Sequence, residues 1–329
     1  MHLPKLTRLL TAGAMVLAAA AATPVFAAGS FPNRPINLVV GFPPGGINDI
    51  VARVVGQKLG EALGQPVIIE NKSGAGGTIG ADYVAKAKPD GYTLLLGSVS
   101  NIAMAPSQYK SLPYNPEKDF TPVALLAAAP NILVVNPAFP VHSVKDLIAL
   151  AKRKPGSISY ASAGNGTSNH LTVELLKVLA HIDLVHIPYK GDAPAVTDVI
   201  SGQVPMMFPT LPVALPHIKS GKLRAIAVSS AKRSSLAPDI PTVAESGGLP
   251  DFQVSVWVGI LAPAHTPKDI VDRLSAELTK IVQLPEVKNK LASLGAEPAP
   301  QDSAQFASYI RTETAKWSKV AKAAGIVPQ

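Results

Sequence analysis

Apolar and polar positions alternate in blocks along this chain, and the first block sets the pattern for the rest. Ile36 to Val40 is a short, β-branched apolar run that predicts a buried strand. Beyond it, Ile50, Val51, Val54, Val55, Leu59 and Leu63 recur at helical spacing. Between the two lies Phe42-Pro43-Pro44-Gly45-Gly46-Ile47-Asn48-Asp49. The prolines stop the strand, the glycines let the backbone turn, and Asn48 is predicted to cap the helix. A strand, a glycine-rich loop and a helix N-terminus together expose free amides and the positive end of a helix dipole, which suits an anion. An ordinary βα turn has the same parts, and Asp49 offsets some of the dipole, so the remaining chain has to decide between them.

The same grammar recurs. Pro66 to Glu70 predicts a second strand, Asn71–Thr78 a glycine loop, Ile79–Lys86 a helix, and Tyr92–Leu96 a third strand ending in a loop over Gly97–Asn101. Strands alternating with helices predict a parallel α/β sheet, with ligands beyond the carboxyl ends of its strands. Val123 to Val135, broken by Pro130, predicts a strand passing to a second lobe. There the pattern restarts: helix Val144–Lys152, strand Ile158–Ala161, loop Gly164–His170, helix Leu171–Leu179, strand Leu184–Ile187, and loop Pro188–Pro194. Helix Ala195–Ser201, strand Val204–Phe208, a helix near Ala214–Ser220 and strand Leu223–Val228 complete it. Ile240–Asp251 reads as a loop-rich return and Phe252–Leu261 as a strand crossing back. Helices follow at Pro267–Leu284, Glu286–Leu294 and Ser303–Lys322. The expected fold class is α/β with two lobes joined by two crossings, a clamp with a ligand cleft between them. Residues 29–128 with 251–329 are assigned to lobe 1 and 129–250 to lobe 2.

Composition adds an address. Lys5 and Arg8 precede an apolar run from Leu9 to Ala22, and Val25-Phe26-Ala27 or Phe26-Ala27-Ala28 offers a small-residue cleavage site. Residues 1–28 are therefore expected to be a signal peptide. The chain has no cysteine, so neither disulfides nor a cysteine-linked lipid anchor enters the reading, and a periplasmic location is expected. The net charge of +8 comes from scattered basic residues with few aromatics among them, which does not indicate nucleic acid.

Catalytic and cofactor motifs are weak. Gly74-Ala75-Gly76-Gly77-Thr78-Ile79-Gly80 lacks the last glycine of a dinucleotide fingerprint, and no Walker sequence, H-E-x-x-H or G-x-S-x-G occurs. His181 and His186 are expected on opposite faces of a strand, and His170 with Glu174 reads as a surface or capping pair. Ser162 and Ser168 lie near His170 without an acid placed to orient it. No metal, cofactor or catalytic residue is assigned. What remains is a set of loops rich in amides and hydroxyls. Ser98, Ser100 and Asn101, then Thr167, Ser168 and Asn169, then Tyr189 and Lys190, can hydrogen-bond an oxyanion. Gly45, Gly46, Gly164, Gly166 and Gly191 allow close backbone approach. Arg53 is expected to pair with a neighbouring acid.

Several of these stretches together resemble the Bug (tripartite tricarboxylate transporter) extracytoplasmic solute receptors. They are Phe42-Pro43-Pro44-Gly45-Gly46 with Asp49 and Arg53, Asn71-Lys72-Ser73-Gly74-Ala75-Gly76-Gly77, and Pro89-Asp90-Gly91-Tyr92-Thr93-Leu94. His186-Ile187-Pro188-Tyr189-Lys190-Gly191 and Trp257-Val258-Gly259 with Pro263 complete the match, which runs from about Phe31 to the C-terminus. The resemblance implies a periplasmic receptor with the two-lobed α/β fold of a periplasmic binding protein (Venus-flytrap), its small carboxylate ligand held by the Phe42–Asp49 loop partly through ordered water. It implies an opposing wall built from Gly164–His170 and Tyr189–Asp192. The chain departs from the usual pattern at Ile47 and Asn48, where threonine commonly precedes the aspartate. The candidate ligand residues are Phe42, Pro44, Gly45, Gly46, Asn48, Asp49, Ser98 and Asn101 on one side. On the other they are Gly164, Gly166, Thr167, Ser168, His170, Tyr189, Lys190, Gly191 and Asp192. A monomer is expected, serving a membrane permease; a sensor domain as partner, or a periplasmic enzyme acting on a carboxylate, are the alternatives.

Overall fold

The first apolar block forms β1 (Ile36–Val40), buried at every position but Asn37. In the computed structural model, which describes residues 31–323 together with 325 and 328, β1 lies parallel between β2 (Val67–Asn71) and β3 (Thr93–Ser98). The signal peptide expected at 1–28 lies outside the described residues. The crossovers are α1 (Ile47–Leu63) and α2 (Thr78–Ala85). Glycine sets how closely these parts stack: a Cβ on Gly80 would fall 2.8 Å from the Gly41 Cα, so α2 and the end of β1 meet backbone to backbone. The glycines of residues 74–80 thus have a packing role.

After β3 the chain turns straight into a wide helical turn, Val99–Met104, so Gly97–Asn101 is strand end and helix start and not the expected loop. β4 (Phe120–Ala129) runs through Pro130 and Asn131 into β5 (Ile132–Val135), the first crossing. The second unit then follows in order: α3 (Val144–Arg153), β6 (Ser159–Ser162), α4 (Ser168–Ala180), β7 (Val185–Pro188), α5 (Asp192–Ser201), β8 (Met206–Met207), α6 (Leu211–Lys219) and β9 (Arg224–Val228). The return carries a short helix, α7 (Val243–Gly247), before β10 (Val256–Pro263), α8 (Lys268–Gln283), α9 (Pro285–Ser293), β11 (Glu297–Gln301) and α10 (Ser303–Ala323).

Two sheets result, ordered β11-β4-β10-β3-β1-β2 and β7-β6-β8-β5-β9. Neither is wholly parallel, which corrects the expectation. β10 runs antiparallel to β3 and β4, and β5 antiparallel to β8 and β9. The reason is topological: β4 leaves the first sheet as β10 enters it, so the two crossing strands lie side by side in opposite directions. Ser229 ties them together. Its Oγ accepts from the Asn131 amide (2.9 Å) and donates to the Val254 carbonyl (2.8 Å). The C-terminal helix returns to the first sheet, where the buried indoles of Trp257 and Trp317 both donate to Glu313. Among the described residues, no helix is long and apolar enough to cross a membrane.

Candidate functional site

The loop after β1 is shaped by one carboxylate. Asp49 accepts from the Gly45 amide (3.1 Å), from Arg53 through both oxygens (3.0 and 2.8 Å) and from the Asn71 amide group (3.1 Å). Asn71 also donates to the Phe42 carbonyl (2.9 Å), closing the loop on itself. Burial would raise the Asp49 carboxyl, but the bonds from Arg53, Gly45 and Asn71 outweigh it and hold the group below its ordinary range. Asp49 is therefore a positioning residue for the loop, and Arg53 has the acidic partner the sequence indicated.

The start of α1 differs from expectation in one respect. Its N-cap is Gly46, with no side-chain cap, and Asn48 lies inside the first turn. The early amides of α1 thus have no side-chain acceptor and face away from the helix body. Asn48 is buried with its Oδ1 unpartnered.

Facing this loop is the start of α5, and beside it the start of α4 meets the Ser100 turn and Gln108. Thr167 is the N-cap of α4, its hydroxyl donating to the Gly164 carbonyl (2.7 Å). Gly191 is the N-cap of α5 at a φ of 114°, which glycine tolerates. The two walls touch. The Ser168 amide donates to Ser100 Oγ at 3.1 Å, and Gln108 Nε2 to the Gly166 carbonyl at 3.4 Å. A Cβ on Gly191 would lie 3.2 Å from the Pro43 ring, and one on Gly46 would lie 3.4 Å from Asp192 Oδ2. Between the walls is a cavity of about 60 Å³. A larger one, about 1160 Å³, lies elsewhere on the first lobe between α8 and the start of α10, lined by residues such as Lys268, Asp272 and Asp302. Size favours the groove, but the small cavity is where two lobes and two helix starts converge, and that geometry is what a hinged capture site needs.

The sequence candidates divide. Phe42, Pro44, Gly46 and Asn48 line the interlobe cavity from one side, and Lys190, Gly191 and Asp192 from the other. Gly45, Asp49, Gly164, Gly166, Thr167 and Ser168 shape or join the walls without lining it. Ser98 and Asn101 are buried behind them: Asn101 Oδ1 accepts from the Ser98 amide (2.8 Å) and its amide group donates to the Gly77 carbonyl (3.3 Å). Tyr189 donates to Asp198 (2.6 Å) within the second lobe. Pro43, Ala163, Ala193 and Pro194 also line the cavity and carry no chemical signal in sequence. Asn71 and Gln108 were missed because their partners are distant along the chain.

His170 forms the expected pair with Glu174, whose oxygen is 3.9 Å from its Nε2, and its Nδ1 accepts from the Gly166 amide (3.3 Å) ahead of α4, but both side chains are largely buried and not on the surface. The His170 ring stacks on His186 at 4.2 Å, and His186 stacks on Tyr160 at 4.9 Å. Ser162 Oγ lies 2.6 Å from His186 Nε2, but the hydroxyl is fully buried and engaged with the Gly164 backbone. Burial, then the adjoining His170, pushes His186 down to about 4, so the stack is neutral at pH 7. Among the described residues no group of three His, Asp or Glu is placed to hold a metal.

Comparison with known proteins agrees with this architecture. Residues 51–326 match the tripartite tricarboxylate transporter family receptor. Protein BugT of Bordetella pertussis is 39% identical over 322 residues, covering 97% of this chain and 98% of BugT. A Rhodopseudomonas palustris protein, Rpa4515, solved with adipate, superposes with a TM-score of 0.87 at 37% identity, covering 91% of this chain and all of the other. The periplasmic binding protein BugD gives 0.85 at 37% identity, with the same 91% and 100% coverage. MatC of R. palustris, solved with malate, gives 0.82 at 35% identity, covering 88% of this chain and 99% of MatC. With its two-lobed α/β fold and the motifs around its first loop, this chain belongs to the tripartite tricarboxylate transporter receptors, the Bug family of solute-binding proteins.

Proposed function

We propose that this protein is a periplasmic receptor that captures a small carboxylate between the start of α1 and the starts of α4 and α5. One observation carries the reading: the uncapped amides of α1 face a second helix start across a cavity shared by both lobes. Relatives solved with adipate and malate support a carboxylate as the ligand. Hydrogen bonds to a charged group are worth about 1.5–3 kcal/mol each, so a few reach the micromolar range of about 8 kcal/mol. The cavity has room for only a few atoms, so binding requires the lobes to part and close again about the paired crossings at Asn131 and Ser229.

In this reading residues 1–28 are removed on export, residues 29–128 with 251–329 form lobe 1, and 129–250 form lobe 2. The closed, monomeric form is offered to a membrane permease, as the family's transport role implies. No turnover of the ligand is expected, because the Ser162 hydroxyl beside His186 is buried and engaged with the Gly164 backbone. The test is mass spectrometry of small molecules released from the purified protein, followed by thermal-shift screening of carboxylates. A bound acid that raises the melting temperature and is recovered unchanged is expected. Consumption of the acid would make the protein an enzyme, and the absence of any response to carboxylates would reject the receptor reading.

A further inference from the structure

The site holds a carboxylate of its own. Asp192, the first residue of α5, lines the cavity with Oδ2 directed across the cleft toward Gly46. Its other oxygen accepts one bond, from Asn169 at 3.3 Å, and Asn169 is held in turn by the Phe208 carbonyl at 2.9 Å. Among the described residues, no Lys, Arg or His nitrogen lies within 4 Å of the Asp192 carboxylate. The nearby charges are already engaged or exposed. On α1, Asp49 and Arg53 neutralise each other, and on the preceding loop Lys190 is exposed. On α4, burial pushes the stacked His170 down and keeps it neutral. Across the cavity, the buried Asn48 Oδ1 also lacks a partner.

A receptor for acids that places an uncompensated acid in its own cavity has an unmet need for hydrogen-bond donors. A ligand with only carboxylates would bring two like charges together in a small space, which is unfavourable unless a proton is shared between them. A ligand carrying an amine or hydroxyl beside its carboxylate avoids this. Its carboxylate faces the amides of α1 while its donor meets Asp192. We infer that Asp192 is a specificity-determining residue that selects carboxylates bearing an adjacent amino or hydroxyl group over bare ones. The state of the group agrees with this: although part of the residue reaches the surface, burial pushes its carboxyl up to about 6, more than the Asn169 bond offsets. A donor from the ligand relieves that penalty.

The inference rests on the receptor reading, and one set of titrations separates the two. Calorimetry at pH 7.5 would compare succinate, malate and aspartate, and adipate with 2-aminoadipate, on the wild-type protein, Asp192→Ala and Asp192→Asn. The wild type is expected to favour the donor-bearing acid of a series by about tenfold or more, a margin of about 1.4 kcal/mol, as for sites that reject analogues lacking a bonded group. Asp192→Ala is expected to bring the acids of a series within about twofold of one another, a small fraction of that margin. Asp192→Asn, uncharged and of the same shape, should lose the preference for amine over hydroxyl and serves if the alanine variant does not fold. Equal affinities in the wild type, or an unchanged preference in both variants, would overturn the role of Asp192 while leaving the receptor intact. Failure of every acid to bind the wild type would reject the receptor reading and the selectivity with it.

Discussion

Two aspartates stand at helix starts on opposite walls of the cleft, and they are in opposite states. Asp49, third in α1, has a cation and two further donors, and its carboxyl is held below the ordinary range. Asp192, first in α5, has one neutral donor and is pushed up to about 6. The residue type and the helix dipole are the same; the partners differ. Thus the first wall neutralises its charge internally and becomes a rigid cradle of amides, whereas the second keeps a charge in reserve.

The largest expected effect comes from breaking the rigid wall. Asp49→Ala removes the acceptor shared by the Gly45 amide, Arg53 and Asn71, at about 1 kcal/mol net for each of these three partners, since water can reach the freed donors. A loss of about 3 kcal/mol in denaturant-derived stability is expected, together with a more than tenfold loss of carboxylate affinity. Because the folded pKa of Asp49 is depressed, its contribution is present above the unfolded value of 3.8 and lost as pH falls through the folded one. Unchanged stability at pH 7 would mean that Asp49 does not shape the loop.

Next is closure. Gly166 has a φ of 79°, and a Cβ there would lie 2.9 Å from Gln108 Oε1 on the other lobe. Gly166→Ala combines backbone strain of about 1–2 kcal/mol with a clash across the cleft. It should displace the Gln108 carboxamide and break its bond to the Gly166 carbonyl, loosening the closed form, seen as a larger radius of gyration by small-angle scattering if this contact holds the lobes together. A scattering profile matching the wild type would show that this contact does not limit closure.

Acid should act on the second wall through its histidines. The folded pKa of His186 is depressed to about 4 from 6.5, so the neutral stack stabilises the fold fully above pH 6.5. That stability is lost progressively as pH falls from 6.5 toward 4. The melting temperature should fall over this window, and His186→Gln should flatten the decline. Asp192 has the opposite sign: with its folded pKa raised, the ionised group is a penalty above about pH 6 that disappears below 3.8. Asp192→Asn should therefore raise the melting temperature at pH 7.5 by about 2 °C and leave it unchanged at the lowest pH. A fall at pH 7.5 would show that the carboxylate is well compensated.

The smallest effect is expected at Tyr189, whose hydroxyl bonds to Asp198 and not across the cleft. Tyr189→Phe should weaken carboxylate binding by less than about tenfold, the scale of one hydrogen bond. A larger loss would place the hydroxyl in contact with ligand.

Much of this was legible in sequence because it is local. The strand–glycine loop–helix blocks repeat with strong periodicity, and both crossings carry long apolar runs. Local signals also account for two elements absent from the sequence reading. Glu297-Pro298-Ala299-Pro300-Gln301 carries two prolines and still forms β11, which an edge strand tolerates. The helix at Val243–Gly247 was hidden in a loop-like stretch, although Thr242 and Glu245 form a capping box at the spacing that marks one. In the site, Asp49 takes its role from Asn71, 22 residues away, as well as from Arg53, and Ser98 and Asn101 are filled by each other and by the Gly77 carbonyl, partners that local pattern does not mark. The contacts that join the walls, Ser100 with Ser168 and Gln108 with Gly166, link residues more than 50 apart in sequence, and no periodicity reports them.

The most direct test of the capture site is a crystal structure of the protein grown with a carboxylate that raises its melting temperature. The account predicts the acid between the lobes, with its carboxylate at the amides that follow Gly46 and its far side against α5. An acid seated in the groove between α8 and α10, with the two walls unchanged, would contradict it.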